Sequence, residues 1–325
     1  MNSTVDFFQD VHQHATSVHG WGQTYSQISA GALKSSLAQF STAHSHVFRE
    51  LINQRVVQHG CAPKDKICFA VPMAISGTAR VQGREAGDKC IFVLRGGDEF
   101  MFHMPMAMDI LSITFDRDTF ENALTHAPWA SGIDALLRQP VVHVPQQRLA
   151  DSRLRLQALF NAAISASNLG DAPGTEQLIE QEMLGELLRL ISDPDCDRAQ
   201  RHRSSSRSYI VEKCHQWTIT DASNAPSVVD MCKRLKVSRR TVQNSFQSVT
   251  ETNPVNYIRC IRLNGVRREL MAASAAELSI GDAAARWGFY HLSHFASEYQ
   301  ELFQELPSQT RRPATAVRSA TSPGA

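Results

Sequence analysis

Four neighbouring side chains in the C-terminal third, Arg239, Arg240, Gln243 and Asn244, carry groups that can read the edges of bases. An arginine presents two parallel N–H donors to guanine O6 and N7, and Gln or Asn bonds adenine at N6 and N7 together. Ser238 opens this run. Arg240 and Gln243 have the side chains best suited to base edges. Arg239 suits a phosphate contact equally well, which positions without specifying. A second set lies at His291, Ser293, His294 and Ser297. These are weaker donors, so the second set is expected to read fewer bases and to lean on backbone and shape.

Such side chains need a helix free to enter a major groove and a second helix holding it from behind. Val228–Leu235, a turn over 236–238 and Arg239–Phe246 have that helix-turn-helix pattern. Ile280–Trp287, then Gly288 and Phe289, then a helix over Leu292–Leu302 repeat it. Val242 and Phe295, Phe246 and Tyr299, and Pro254 and Pro307 each stand 53 residues apart, the mark of a degenerate duplication. Cys232 and Ala284 supply the small residue where the helices cross. Gly288 suits a turn of positive φ, and Lys236 holds the matching place less well. Val228, Met231, Leu235, Val237, Val242 and Phe246 make one small core. Ile280, Ala283, Trp287, Phe289, Phe295 and Tyr299 make the other. Between them Val255–Met271 is unbroken helix material after Pro254, a rod of roughly 25 Å at 1.5 Å per residue. Its Val255, Ile258, Ile261, Val266 and Leu270 are expected to face the cores. Arg259, Arg262, Arg267 and Arg268 are expected to point away, to solvent or to phosphate.

The stretch Trp287–Tyr299 (WGFYHLSHFASEY), ending in Glu305-Leu306-Pro307-Ser308, closely resembles the C-terminal signature of AraC/XylS-type transcription regulators. So do Ser238–Phe246 (SRRTVQNSF) and Asn253–Leu263 (NPVNYIRCIRL). The resemblance covers about 100 residues, Tyr209 to Gln309. The N-terminal half resembles, more loosely, effector domains of XylS-like and ethanolamine-operon-type activators, through Gly96-Gly97-Asp98-Glu99-Phe100 and its order of strands, then helices. The family implies a cupin-like β-barrel that binds a small molecule, followed by a helical hairpin for dimerisation. It implies double-stranded DNA, a small effector and RNA polymerase as partners, and a homodimer. Two departures stand out. The family usually has Gly where Glu251 and Gln304 stand, and often Arg where Asn244 and Ser297 stand.

Upstream the texture changes. Residues 1–20 hold three histidines and little apolar pattern, and are expected to form a short leading helix or no fixed structure. Short runs rich in β-branched and aromatic residues follow, at 25–29, 67–71, 91–94 and 110–115, punctuated by Gly and Pro, as in a sandwich or barrel. Two amphipathic helices are expected near Arg148–Ser167 and Thr175–Ile191. The expected fold class is a two-domain α+β chain, a cupin-like β-barrel with a helical hairpin and an all-α double helix-turn-helix. The expected boundaries are 1–195 for the effector and dimerisation domain (barrel about 21–115, helices about 116–192), a linker at 196–208, a DNA-binding domain at 209–310 and a disordered tail at 311–325.

Composition fits a soluble protein, with 42% apolar and 20% charged residues and no apolar run long enough to span a membrane. From Arg207 onward the net charge is +5; before it, −4. A basic C-terminal region beside an acidic module suits a nucleic-acid reader. Seven scattered cysteines, with no Cys-x-x-Cys, point to a reducing, cytoplasmic compartment. Arg49, Arg55 and His103 are candidate contacts for an effector inside the barrel. His44, His46 and Glu50 match part of a metal-cupin motif without its flanking glycine, so no metal, cofactor or catalytic residue is assigned. The leading expectation is a non-enzymatic, ligand-responsive activator of a catabolic operon. The alternatives are a metal-cupin enzyme fused to a DNA-binding module, an alkyl-transfer repair protein, which the scattered cysteines disfavour, and a regulator controlled by a protein partner.

Overall fold

The computed structural model describes residues 2–125, 133–169, 174–193, 195–196 and 206–310. Its strands are β1 (Asn2–Phe8), β2 (Gly22–Gln27), β3 (Ser35–Ser41), β4 (Ser45–Ile52), β5 (Val56–Cys61), β6 (Lys66–Ala74), β7 (Ala79–Val81), β8 (Arg84–Ala86), β9 (Cys90–Arg95), β10 (Glu99–Met104), β11 (Met108–Asp116) and β12 (Val141–His143). The helices are α1 (Val11–Ser17), α2 (Arg117–Thr125), α3 (Ile133–Leu137), α4 (Gln146–Leu169), α5 (Thr175–Ile191), α6 (Ser206–Thr220), α7 (Val228–Leu235), α8 (Arg239–Thr250), α9 (Pro254–Ala272), α10 (Ile280–Arg286) and α11 (Leu292–Phe303).

The strands form two antiparallel sheets, one in the order β1-β3-β4-β11-β6-β9-β12 and the other β2-β5-β10-β7-β8. The expected cupin-like barrel therefore takes the form of two sheets, not closed on each other by hydrogen bonds among the described strands. The central strands β6, β9 and β11 of the seven-stranded sheet are buried on both faces. Along β6, Ile67, Phe69 and Val71 meet Leu156, Phe160, Met183 and Leu187 of α4 and α5. The alternate, smaller Cys68 and Ala70 meet the second sheet's Phe100 and Phe102. Period-two alternation sends successive side chains to opposite faces, so a strand covered on both sides reads as a continuous apolar run. That is why β6, β9 and β11 were legible.

The leading segment differs from expectation. Residues 2–8 form an edge strand paired with β3, from Asn2 opposite Ser41 to Phe8 opposite Ser35. Asp10 then caps α1, its carboxylate accepting from the backbone N–H of His12 and Gln13. Much of the linker expected over 196–208 and all of the tail expected over 311–325 lie outside the described residues, and α6 begins at Ser206.

The outer face of the five-stranded sheet packs on the C-terminal helices. Ile28 and Val57 share one core with Cys214, Phe246, Tyr257, Ile261 and Phe295. Asn264 of α9 pairs with the main chain of Gln27, accepting from its N–H at 2.9 Å and donating to its C=O at 2.8 Å. An amide placed this way acts on β2 as a neighbouring strand would.

Candidate nucleic-acid interface

Both helix-turn-helix units form where the sequence places them, and local chemistry explains their ends. Ser227 and Asp230 make a capping box at the start of α7. Ser279 caps α10 by accepting from Asp282 N. Lys236 ends α7 in the left-handed region, at φ 54°, and Gly288 sits at φ 74° after α10. A Cβ on Gly288 would lie 2.6 Å from the Ser223 carbonyl oxygen. The two family departures, Glu251 and Gln304, are left-handed C-caps of α8 and α11, at φ 55° and 59°. Glycine takes that conformation without strain, which is the reason glycine is usual there.

In α8 the inward face is Val242, Ser245, Phe246 and Val249, all buried. Arg239, Arg240, Gln243 and Asn244 are all exposed on the other. Ser238, at the helix start, is exposed as well. Its hydroxyl caps the helix, accepting from Thr241 N at 3.1 Å. Gln247, exposed and one turn beyond Gln243, extends the outward row and was not singled out from sequence, although helical spacing would have found it. Lys233 of α7 is also exposed.

In α11, Phe295, Tyr299, Leu302 and Phe303 are buried, while His291, Ser293, His294 and Ser297 are exposed. The His291 and His294 rings lie 6.4 Å apart. His291 occupies the N-cap position without a capping bond. Tyr290 and Leu292, 72% and 51% exposed, add an apolar element at this helix start. Apolar side chains at such a place suit the thymine methyl group.

The arginines of α9 are engaged within the protein, not left on a free face. Arg267 is buried, paired with Asp10 of the first domain and with Glu305, and lies 4.6 Å over the Phe303 ring. Burial alone would lower its pKa, but Tyr299, Asp10 and Glu305 raise it above its ordinary value. Arg262 donates to the Trp287 carbonyl at 2.5 Å and covers the Phe289 ring. Arg259 pairs with Glu298 at 2.9 Å, and Arg268 lies over Trp287. Each holds α9 to α11, α10 or the sheet domain. Val255, expected to be buried, is 60% exposed.

The effector candidates do not converge. Arg49 lies on the helix-facing side of the seven-stranded sheet, paired with Asp109 by bonds of 2.8 and 2.6 Å, in a groove with Phe160 and Ile164. Arg55 pairs with Glu251 at the end of α8. His103 is buried against the Tyr257 ring, and burial and Arg80 push its pKa down to about 3. The metal-cupin residues also separate. His44 bonds Asp116 at 3.0 Å and His46 bonds Gln39 at 3.2 Å. Glu50 turns between the sheets, where its Oε1 meets His14 Nε2 at 2.9 Å and accepts from the Tyr25 hydroxyl at 2.6 Å.

Residues 231–313 match a family model described as a helix-turn-helix domain. Over 76 residues the chain is 42% identical to the XylDLEGF operon transcriptional activator of Pseudomonas putida, 23% of this chain and 24% of that one. It is 34% identical over 86 residues to the probable thc operon regulatory protein of Rhodococcus erythropolis, 26% of each. These matches span about a quarter of the relatives' lengths. The solved structure of the AraC-like transcriptional activator CuxR aligns over 88% of this chain and 100% of its own, with a TM-score of 0.41 and 12% identity.

Proposed function

The C-terminal domain belongs to the AraC/XylS family, and from that premise we propose that the chain is a sequence-specific DNA-binding transcription regulator. The observation that carries this is the exposed row Arg239, Arg240, Gln243 and Asn244 on a helix whose opposite face is closed by its own core. The α9 rod of 19 residues, roughly 28 Å long, suits two heads reading successive turns of one duplex. Arg240 and Gln243 read bases, Arg239 positions on phosphate, and the second head contributes shape and apolar contact through His294, Tyr290 and Leu292.

The proposed division is an effector and dimerisation domain over 1–195, a linker at 196–208 and a DNA-binding domain over 209–310. The chain acts in the cytoplasm as a non-enzymatic activator of a catabolic operon, with RNA polymerase as partner. It pairs as a homodimer through α4 and α5, where Leu154 and Leu178 are 71% and 59% exposed. A small organic effector shifts the balance between two arrangements of the heads.

Footprinting of the full chain on DNA upstream of its own and neighbouring genes tests this. Protection of two adjacent major-groove segments is expected. No protection under any condition, with an isolated 206–310 fragment also silent, would sink it.

A further inference from the structure

The sheet domain and the helical domain leave a cleft of about 380 Å³ between β5, β10 and α6. That is the size of a small-molecule site, which typically spans about 300–1,000 Å³. Tyr209, Glu212, Lys213, Gln216 and Ile219 stand on one face of α6 and line one wall. His59, Glu99 and Met101 line the other.

Two carboxylates of this cleft, the partly buried Glu212 and the exposed Glu99, make no ion pair among the described residues. The Glu212 carboxylate has no hydrogen-bond or ion-pair partner among the described residues, although it is partly buried, and burial pushes its pKa up. Lys213 does not neutralise it through an ion pair. Its ammonium is 3.4 Å from the Gln216 side-chain oxygen and 5.8 Å from the centre of the Tyr209 ring. Glu99, on the opposite wall, makes no ion pair among the described residues either. At the back stands His215, only 3% exposed. Its Nδ1 is taken by the Tyr257 hydroxyl at 2.9 Å, which leaves Nε2 as the ring nitrogen without a partner among the described residues. Burial, with His59, His103 and Arg268 nearby, pushes this imidazole down to about 3, so it is neutral. A carboxylate and a neutral imidazole nitrogen, both open to the cleft and without a hydrogen-bond partner among the described residues, are available to an occupant.

We propose that this cleft binds a small organic amine as its cation, with the ammonium between Glu212 and Glu99 and the body against Tyr209, Met101 and Ile219. Two carboxylates against one diverted lysine select positive over negative charge, and the Tyr209 ring adds a cation–π surface. The ligand class rests on the cleft alone. Its consequence for DNA rests on the function proposed above: α6 packs on α8, so an occupant of the cleft bears on the helix that carries Arg240.

Calorimetric titration of the full chain with benzylamine, benzyl alcohol and benzoate, without DNA, tests the site. Benzylamine should bind and the neutral and anionic analogues should not. Glu212→Gln should weaken benzylamine roughly tenfold, the loss of one charge-assisted contact. Glu99→Gln, on the other domain, should weaken it in the same direction and serves if the first variant misfolds. Binding should also fade as pH falls and the Glu212 carboxyl takes up its proton. Preference for benzoate, absence of benzylamine binding at millimolar concentration, or equal binding by wild type and both variants would overturn the proposal. A gel shift run in parallel reads DNA binding separately, so the two ideas fail independently.

Discussion

Val249 and Leu302 hold the same place in the two reading helices, 53 residues apart, and the carbonyl oxygen of each accepts a hydrogen bond from the sheet domain. Val249 accepts from Arg80 Nη1 at 3.2 Å. Leu302 accepts from Gln27 Nε2 at 3.0 Å and from Gly31 N at 3.1 Å. The last four carbonyls of a helix have no partner within it, and a cation there also complements the helix dipole. The sheet domain thus satisfies the same orphan group in both heads.

That grip is open to measurement. Gln27 Nε2 also holds the Ser29 and Gly31 carbonyls, so Gln27→Ala unties a turn and a helix end together. The expected loss is about 1–3 kcal/mol, the cost of leaving buried partners unmatched. Combined with Arg80→Ala, it should lower the urea midpoint of tryptophan fluorescence, which Trp217 and Trp287 dominate in the helical domain. An unchanged midpoint in the double variant would show the contacts to be incidental.

The two heads should differ in what they read. Arg240→Ala should relax specificity in one half-site by about 1–3 kcal/mol if the guanidinium meets guanine, while Ser297→Ala changes little. Quantitative binding to operators mutated one base pair at a time separates the two. Equal effects from both substitutions would refute this ranking.

Backbone geometry gives a third expectation. A Cβ on Gly265 of α9 would overlap the Trp287 ring, so Gly265→Ala should destabilise by about 1–3 kcal/mol through overpacking. Gly288→Ala should also destabilise, because φ is positive and the Ser223 carbonyl is close. Lys236→Gly runs the other way. At φ 54° on an exposed turn, it should stabilise by up to about 1 kcal/mol. Thermal melts of the three variants give the order directly.

Stability should fall in mild acid. His103 and His215 are both held near 3, against an ordinary 6.5, chiefly by burial. Below pH 6.5 the unfolded chain protonates them and the folded chain does not. The unfolded state then binds more protons, so folded stability drops as pH falls from 6.5 towards 3. Each histidine contributes a slope of about 1.4 kcal/mol per pH unit. His103 Nε2 is buried without a partner, so His103→Leu should remove one histidine's share of that slope in urea titrations at pH 7, 6 and 5. An unaltered slope would mean that other groups set it.

The helical units were legible because their signals are local. The 3.6-residue apolar stripe and the turn at Gly288 both lie within a few residues of what they control. The same holds for α5, whose apolar stripe from Ile179 runs to the helix end at Ile191. The Arg267–Asp10 pair was not legible, since its partners are 257 residues apart and neither has a local mark. Nor was β1, whose polar sequence and exposed Val5 and Phe7 lack the alternation of a half-buried strand. Whether strands close into a barrel or stop at two sheets is decided by pairing across the whole domain, which no short run records. Arg49 was misplaced for a related reason: its face on β4 depends on register, and a shift of one residue exchanges inside for outside.

Asn264 grips the main chain of Gln27, whereas Arg267 needs the carboxylates of Asp10 and Glu305. The first contact tolerates any residue but proline at position 27; the second tolerates few at position 10. A chimaera that grafts this helical domain onto the N-terminal domain of a relative would therefore keep its strand-like seam but strand a buried guanidinium unless an acid stood at the graft's tenth residue. The sheet domain and the helical domain of this chain are matched parts, and transplanting one means carrying its counterpart along.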